Sequence, residues 1–235
     1  MKKTILIVSI FVIILLAASY VATASENKKI KEPLDKITFI HYKDGTVKEF
    51  GKAARDPICY KLLGVKWNNL PVSYVINPSN PQGLSEDFVT TAIFTSAETW
   101  DNSVSKELFN NIYNINYFAI SGIQDFKNTI AFGDYSDSNV IAVTSIWYTR
   151  RTKQIVEFDM LFDTDFVWGD VDVNSGVMDL QNIATHELGH GVGLGDIYST
   201  VCSQVTMYGY SDYGETIKRD LTLQDITGLQ KIYGF

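Results

Sequence analysis

His186 and His190 stand four residues apart in the stretch His186-Glu187-Leu188-Gly189-His190. On a helix, four residues make about one turn, so both imidazoles lie on one face and can share one metal ion. Glu187 lies beside that face. Its carboxylate need not bind the ion, and can take a proton from a water that zinc has acidified. Two nitrogen ligands and a carboxylate base are the chemical content of His-Glu-x-x-His. The chain has 3 histidines, so chance rarely places two of them around a glutamate in this way.

A third ligand must come from the chain beyond this helix. Gly193 can adopt positive φ and end the helix, which swings the chain back toward the ion. Three positions on stands Asp196. Zinc sites with two histidines and a carboxylate are well established. Aspartate is short, so its loop must come close, and Gly191, Gly193 and Gly195 permit that. The alternative for Asp196 is an ordinary solvated loop carboxylate. The third histidine, His41, falls in an expected N-terminal hairpin, where a surface or packing role is expected.

The elements that must position these groups carry local signals. Asp179 stands where it can cap the helix through "LQNIATHELGH". Ser85 caps a second helix, on which Phe88, Val89, Ala92, Ile93, Ala97 and Trp100 share one face. Thr222 and Asp225 form a capping box for a last helix, with Leu221 and Ile226 as its staple. Strands are expected at "LPVSYVINP" (70–78), "TIAFG" (129–133), "VIAVTSIWY" and "QIVEFDMLF". In the last of these Val156, Phe158, Met160 and Phe162 alternate with Glu157, Asp159 and Leu161, which predicts one buried and one more polar face. "KITFIHYKDGTVKEF" reads as a hairpin about Lys43-Asp44-Gly45. Residues 25–35 are charged and expected to be mobile. The whole reads as an α+β domain with one mostly continuous sheet.

Residues 1–24 have the layout of a secretory signal peptide: Lys2 and Lys3, an apolar run, then Ala22-Thr23-Ala24. The alternative is a retained membrane anchor, since the run is about 20 residues long. Either way the remainder is secreted or faces outside. Without that segment 18 basic residues face 27 acidic ones, a net charge of −9. Such a surface disfavours nucleic acid and anionic lipid and can attract cations, calcium included. In an oxidising compartment Cys59 and Cys202, the 2 cysteines, most simply form one disulfide.

"HELGHGVGLGD" resembles the metzincin zinc signature with Asp in the third ligand place, a variant known from snapalysins. Elsewhere the chain is more similar to matrixins, over about residues 65–235. "VTMYGYSDYG" (205–214) resembles their Met-turn, "LTLQDITGLQKIYG" (221–234) their closing helix, "KWNNLPVSYVINP" their opening strand, and "VEFDMLFDTDFVWG" the strand before the active helix.

The resemblance implies a zincin-like domain over residues 64–235, with a mostly parallel five-stranded sheet and three main helices. An N-terminal segment with hairpin and connector, residues 25–63, precedes it. It implies one catalytic zinc on His186, His190 and Asp196, Glu187 as general base, and Met207 as the hydrophobic floor. Tyr208 or Tyr210 would border the pocket beside the scissile bond. A protein or peptide substrate would pair with an edge strand from the 139–148 region, and a monomer is expected. Matrixins usually carry a second, structural zinc on further histidines; this chain has none to spare, so that site is expected to be absent. Calcium on Asp134, Asp137, Asp163, Asp165, Asp170 or Asp172 stays open, but no spacing among them is diagnostic and surface solvation is the expectation for most of them. A cysteine of the family's prosegment often blocks its zinc. "RDPICYKLLG" does not match that motif, which favours the Cys59–Cys202 disulfide.

These features imply a secreted zinc endopeptidase. The competing reading is a non-catalytic binding domain that kept the fold. Asp196 motivates that alternative, and the intact Glu187 weighs against it.

Overall fold

The computed structural model describes residues 32–43 and 58–235. The expected signal segment, and the turn and second strand of the expected hairpin, lie outside the described residues. Among the described residues no helix is long and apolar enough to cross a membrane.

Among the described residues nine strands and three α-helices follow in order. They are β1 (Leu34–Lys43), β2 (Val75–Asn77), α1 (Glu86–Asp101), β3 (Asn114–Ile115), β4 (Thr129–Gly133), β5 (Val140–Thr149), β6 (Ile155–Asp163), β7 (Trp168–Gly169), β8 (Met178–Asp179), α2 (Leu180–Gly191), β9 (Tyr210–Ser211) and α3 (Leu223–Tyr233). Seven strands form one sheet in the order β3-β2-β4-β6-β5-β1-β9. The pairs β2–β3, β2–β4, β4–β6 and β1–β9 are parallel; β5–β6 and β1–β5 are antiparallel. The sheet is thus mostly parallel, with three helices, as the resemblance implies. It has seven strands rather than five because β1 and the two-residue β9 extend it beyond β5.

The helix caps are where local chemistry places them. The Ser85 and Asp179 side chains accept from the backbone N–H of Phe88 and Asn182, and Thr222 with Asp225 closes a full capping box. Each satisfies N–H groups that the first turn leaves without partners. α1 packs on α2 through Trp100, whose indole N–H donates to Thr185 O at 2.8 Å. The Thr185 hydroxyl contacts Ser96 Oγ at 3.0 Å. The residue before His186 is therefore locked to a neighbouring helix.

The expectation for β6 needs a correction. Glu157 and Asp159 are fully buried rather than on a polar face. The loop before β4 covers them: Glu157 accepts from the backbone N–H of Asp125 and Phe126, and Asp159 from those of Gly122 and Thr129. Burial pushes the Asp159 carboxyl up to about 7, against the pull of those N–H donors. The expected hairpin partner of β1 lies outside the described residues, and β1 carries a pairing that the sequence reading did not include. Its partner among the described residues is β5, in unbroken register from Leu34↔Thr149 to His41↔Ala142.

Candidate metal centre and active site

α2 ends just past His190, and its ending aims the third ligand. Leu194 N–H donates to Gly189 O at 3.0 Å and Gly193 N–H to His190 O at 2.9 Å, with Gly193 at φ +101°. This is a Schellman ending with glycine at the left-handed position. Two remote side chains take carbonyls of the last turn: Trp67 Nε1 donates to Gly191 O and the Tyr233 hydroxyl to Val192 O. The reversed chain then runs against the connector, with Leu63 N–H on Gly193 O and Gly195 N–H on Lys61 O. Asp196 is carried back under α2 and is 6% exposed, which rules out a solvated loop carboxylate.

Asp196 Oδ1 lies 3.2 Å from His186 Nε2 and 3.3 Å from His190 Nε2. Donor atoms each about 2.0–2.1 Å from one tetrahedral zinc stand roughly 3.3 Å apart. The three side chains therefore have the separation that one ion requires. The tautomers agree. His186 Nδ1 faces Thr206 O at 2.7 Å and His190 Nδ1 faces Leu194 O at 2.9 Å. A carbonyl only accepts, so each Nδ1 carries the proton and each Nε2 presents a lone pair. Those two Nε2 atoms and Asp196 Oδ1 are buried with no hydrogen-bond partner among the described residues. Such a triple is costly unless something coordinates it. Burial, and then the neighbouring His41, hold the His186 imidazole down at about 4, in the neutral form a ligand needs. Burial alone would raise the Asp196 carboxyl, but the two histidines hold it well below the usual range.

α3 supports this site from beneath. The Asp225 carboxylate, besides capping its own helix, accepts from the backbone N–H of Thr206 at 3.0 Å and Met207 at 3.2 Å. Thr206 is the residue whose carbonyl orients His186. Met207 is fully buried, and its sulfur lies where a Cβ on Gly189 would sit, 2.3 Å from it. Only a glycine in α2 lets the methionine pass beneath the two histidines. Tyr210 is buried and Tyr208 partly so, with ring centroids 5.7 Å apart. Cys59 and Cys202 are joined in a disulfide, Cα atoms 5.5 Å apart, and no cysteine among the described residues is free.

Glu187 is fully buried. Its Oε2 accepts from the Thr144 hydroxyl of β5 at 2.5 Å. Burial raises its carboxyl above the ordinary range, although His186 and His190 pull the other way. Its Oε1 has no hydrogen bond and lies 3.2 Å from His41 Nδ1. His41, expected to be a surface or packing residue, is thus a buried neighbour of the base. Its ring meets the His186 ring edge-on at 4.1 Å, and the Phe39 ring stacks on His190 at 3.9 Å.

Four contributors escaped the sequence reading: Phe39, His41, Thr144 and Tyr198, whose hydroxyl donates to Asp196 Oδ2 at 3.1 Å. Thr144 carried a signal, as a polar residue inside the apolar run of β5. The others gave none, because their partners are remote or their types common.

The matrixin family's sequence profile matches residues 66–234. Rat "Matrilysin" is 47% identical over 77 residues, covering 32% of this chain and 27% of that protein. Human "Matrix metalloproteinase-16" is 28% identical over 180 residues, 74% of this chain and 28% of the relative. "Karilysin" of Tannerella forsythia is 29% identical over 176 residues, 75% of this chain and 35% of the relative. The chain thus spans about a third or less of the length of these curated relatives. With the profile covering most of its length, the chain belongs to the matrixin family of zinc metalloendopeptidases.

Proposed function

We propose that this chain is a secreted zinc endopeptidase, with His186, His190 and Asp196 as ligands and Glu187 as general base. The observation that carries the reading is the trio of buried donor atoms without partners, at the spacing of one ion and next to a buried carboxylate. Zinc, when bound there, supplies Lewis acidity toward a carbonyl and a nearby water. The protein does the rest. Nδ1 contacts with Thr206 and Leu194 fix the imidazoles, Tyr198 fixes Asp196, and Met207 fills the floor. Thr144 leaves one Glu187 oxygen directed toward the reacting space, where it takes a proton from water and passes it to the leaving amine. β5, expected as the edge strand, pairs with β1 on one side and β6 on the other, so an extended peptide finds no free backbone edge on it among the described residues; Tyr208 and Tyr210 border the pocket.

The test is hydrolysis of an unstructured protein by the chain and by its Glu187→Ala variant, the parent cutting and the variant not. Cleavage should vanish on chelation and return with added zinc. A chain that takes up zinc yet cuts nothing in either form would instead fit the non-catalytic binding domain.

Calcium belongs to the same reading. Asp134, Asp163 and Asp165 bring carboxylate oxygens within 4.8 Å of one another, and Asp163 Oδ2 is buried with no hydrogen bond. Burial pushes the Asp163 carboxyl up, a cost that a cation relieves. Calcium at about 100 times its Kd should add about 2.7 kcal/mol of stability. Asp163→Asn should abolish the calcium-induced rise in Tm. An equal rise in the variant would place the calcium elsewhere.

A further inference from the structure

We propose that residues 112–126 form an apolar surface that docks on an uncharged lipid bilayer. The proposal does not depend on the zinc-site reading above. In this stretch Ile112, Tyr117, Phe118, Ile120, Ile123 and Phe126 are each more than half exposed, Phe118 at 90%. Residues 108–124 carry no charged side chain. Single exposed apolar residues are ordinary on a protein surface, whereas a cluster of them on one segment marks an interaction site.

The fold pins the backbone of this segment inward and leaves its apolar side chains outward. Glu157 and Asp159 point to the sheet face opposite Phe158 and Met160. They accept from the backbone N–H of Gly122, Asp125 and Phe126. Asn77 Nδ2 donates to Tyr117 O and Ala119 O. Phe118 N–H goes to Asn116 Oδ1, and Ala119 N–H to Asn116 O. Phe126 stands at φ +63°, a left-handed conformation that bulky residues avoid, and is still 54% exposed. These inward hydrogen bonds favour lipid over protein. A protein partner offers donors and acceptors to an irregular loop, whereas hydrocarbon offers none, so a segment that meets it must bond its backbone from within. The adjoining β3 is the edge of the sheet but has two residues, too few to pair with an added strand. The charges at the rim are already engaged: Lys127 with Asp125 at 2.8 Å, and Glu86 with the Tyr117 hydroxyl. The excess of acidic side chains in the exported chain disfavours anionic headgroups, so the lipid is zwitterionic. The apolar run at residues 5–24, cut or retained, delivers the domain at the outer face of a membrane.

The test is flotation with phosphatidylcholine vesicles of residues 25–235, which hold every described element and lack the apolar run. The parent is expected to float with the vesicles, equally at low and high salt. Phe118→Ser/Ile120→Ser should lower the partition coefficient at least about tenfold. Both side chains lie outside the core, so the Tm should not change; should it fall, Ile123→Ser carries the same comparison. A parent that stays off the vesicles overturns the proposal, and so does a variant that floats as well as the parent. Flotation that needs anionic lipid and is lost in salt overturns it too. A parent that stays off vesicles, sediments as a dimer and becomes a monomer in the double variant would assign the surface to a second copy of the chain instead.

Discussion

Glu187→Ala is expected to lower kcat/KM by about 10²–10⁴-fold, with zinc binding unchanged. The size reflects what the carboxylate can do. It is buried, so its charge is poorly solvated and its proton affinity is raised toward the working pH. Thr144 holds one oxygen at 2.5 Å, leaving the other for the reaction. None of the three proposed ligand atoms depends on it, since each histidine is oriented by a backbone carbonyl and Asp196 by Tyr198. Zinc content by mass spectrometry and peptide hydrolysis therefore separate ligation from proton transfer. A variant that keeps more than about a tenth of the activity would remove Glu187 from the role of base.

Gly193→Ala should carry a large structural cost for a single methyl group near the site. Its φ of +101° is a region that L residues rarely adopt, and holding a side chain there costs about 1–3 kcal/mol. The added carbon would also stand 2.6 Å from Val65 O, a backbone atom with little room to yield. Relief would require the turn after α2 to open. Leu194 O would then leave His190 Nδ1, and Asp196 would leave the two imidazoles. Stability and zinc affinity should fall together, read by denaturant midpoint and by zinc titration. A loss of stability with unchanged zinc affinity would mean that the turn does not position Asp196.

The helices and the candidate metal ligands were readable because their signals are local. Caps at Ser85, Asp179 and Thr222 act within three residues, the His186–His190 spacing is one turn, and Gly193 acts where it stands. The place of β1 in the sheet was not readable for the opposite reason. Ile37, Phe39 and His41 announce a strand, but a strand's partner is set by tertiary packing; His41 meets Ser211 across 170 positions. The nearby turn signal pointed only to a local partner, and nothing local pointed to β5. The polar alternation of β6 misled likewise, because nothing in Glu157 or Asp159 foretells that a loop will bring backbone N–H groups over them. Asp225 shows how one residue can serve both levels: its cap was legible, its hold on Thr206 and Met207 was not.

The disulfide divides the chain topologically. Cys59 and Cys202 are 143 positions apart, and the covalent ring they close contains His186, Glu187, His190 and Asp196. β1 lies outside it, on the tail before Cys59. A single backbone cut between Lys43 and Cys59 would sever β1 while leaving the ring and the four residues of the candidate site in one piece. A cut inside the ring would open it without detaching anything. β1 is thus separable from the segment that carries the candidate site by one scission.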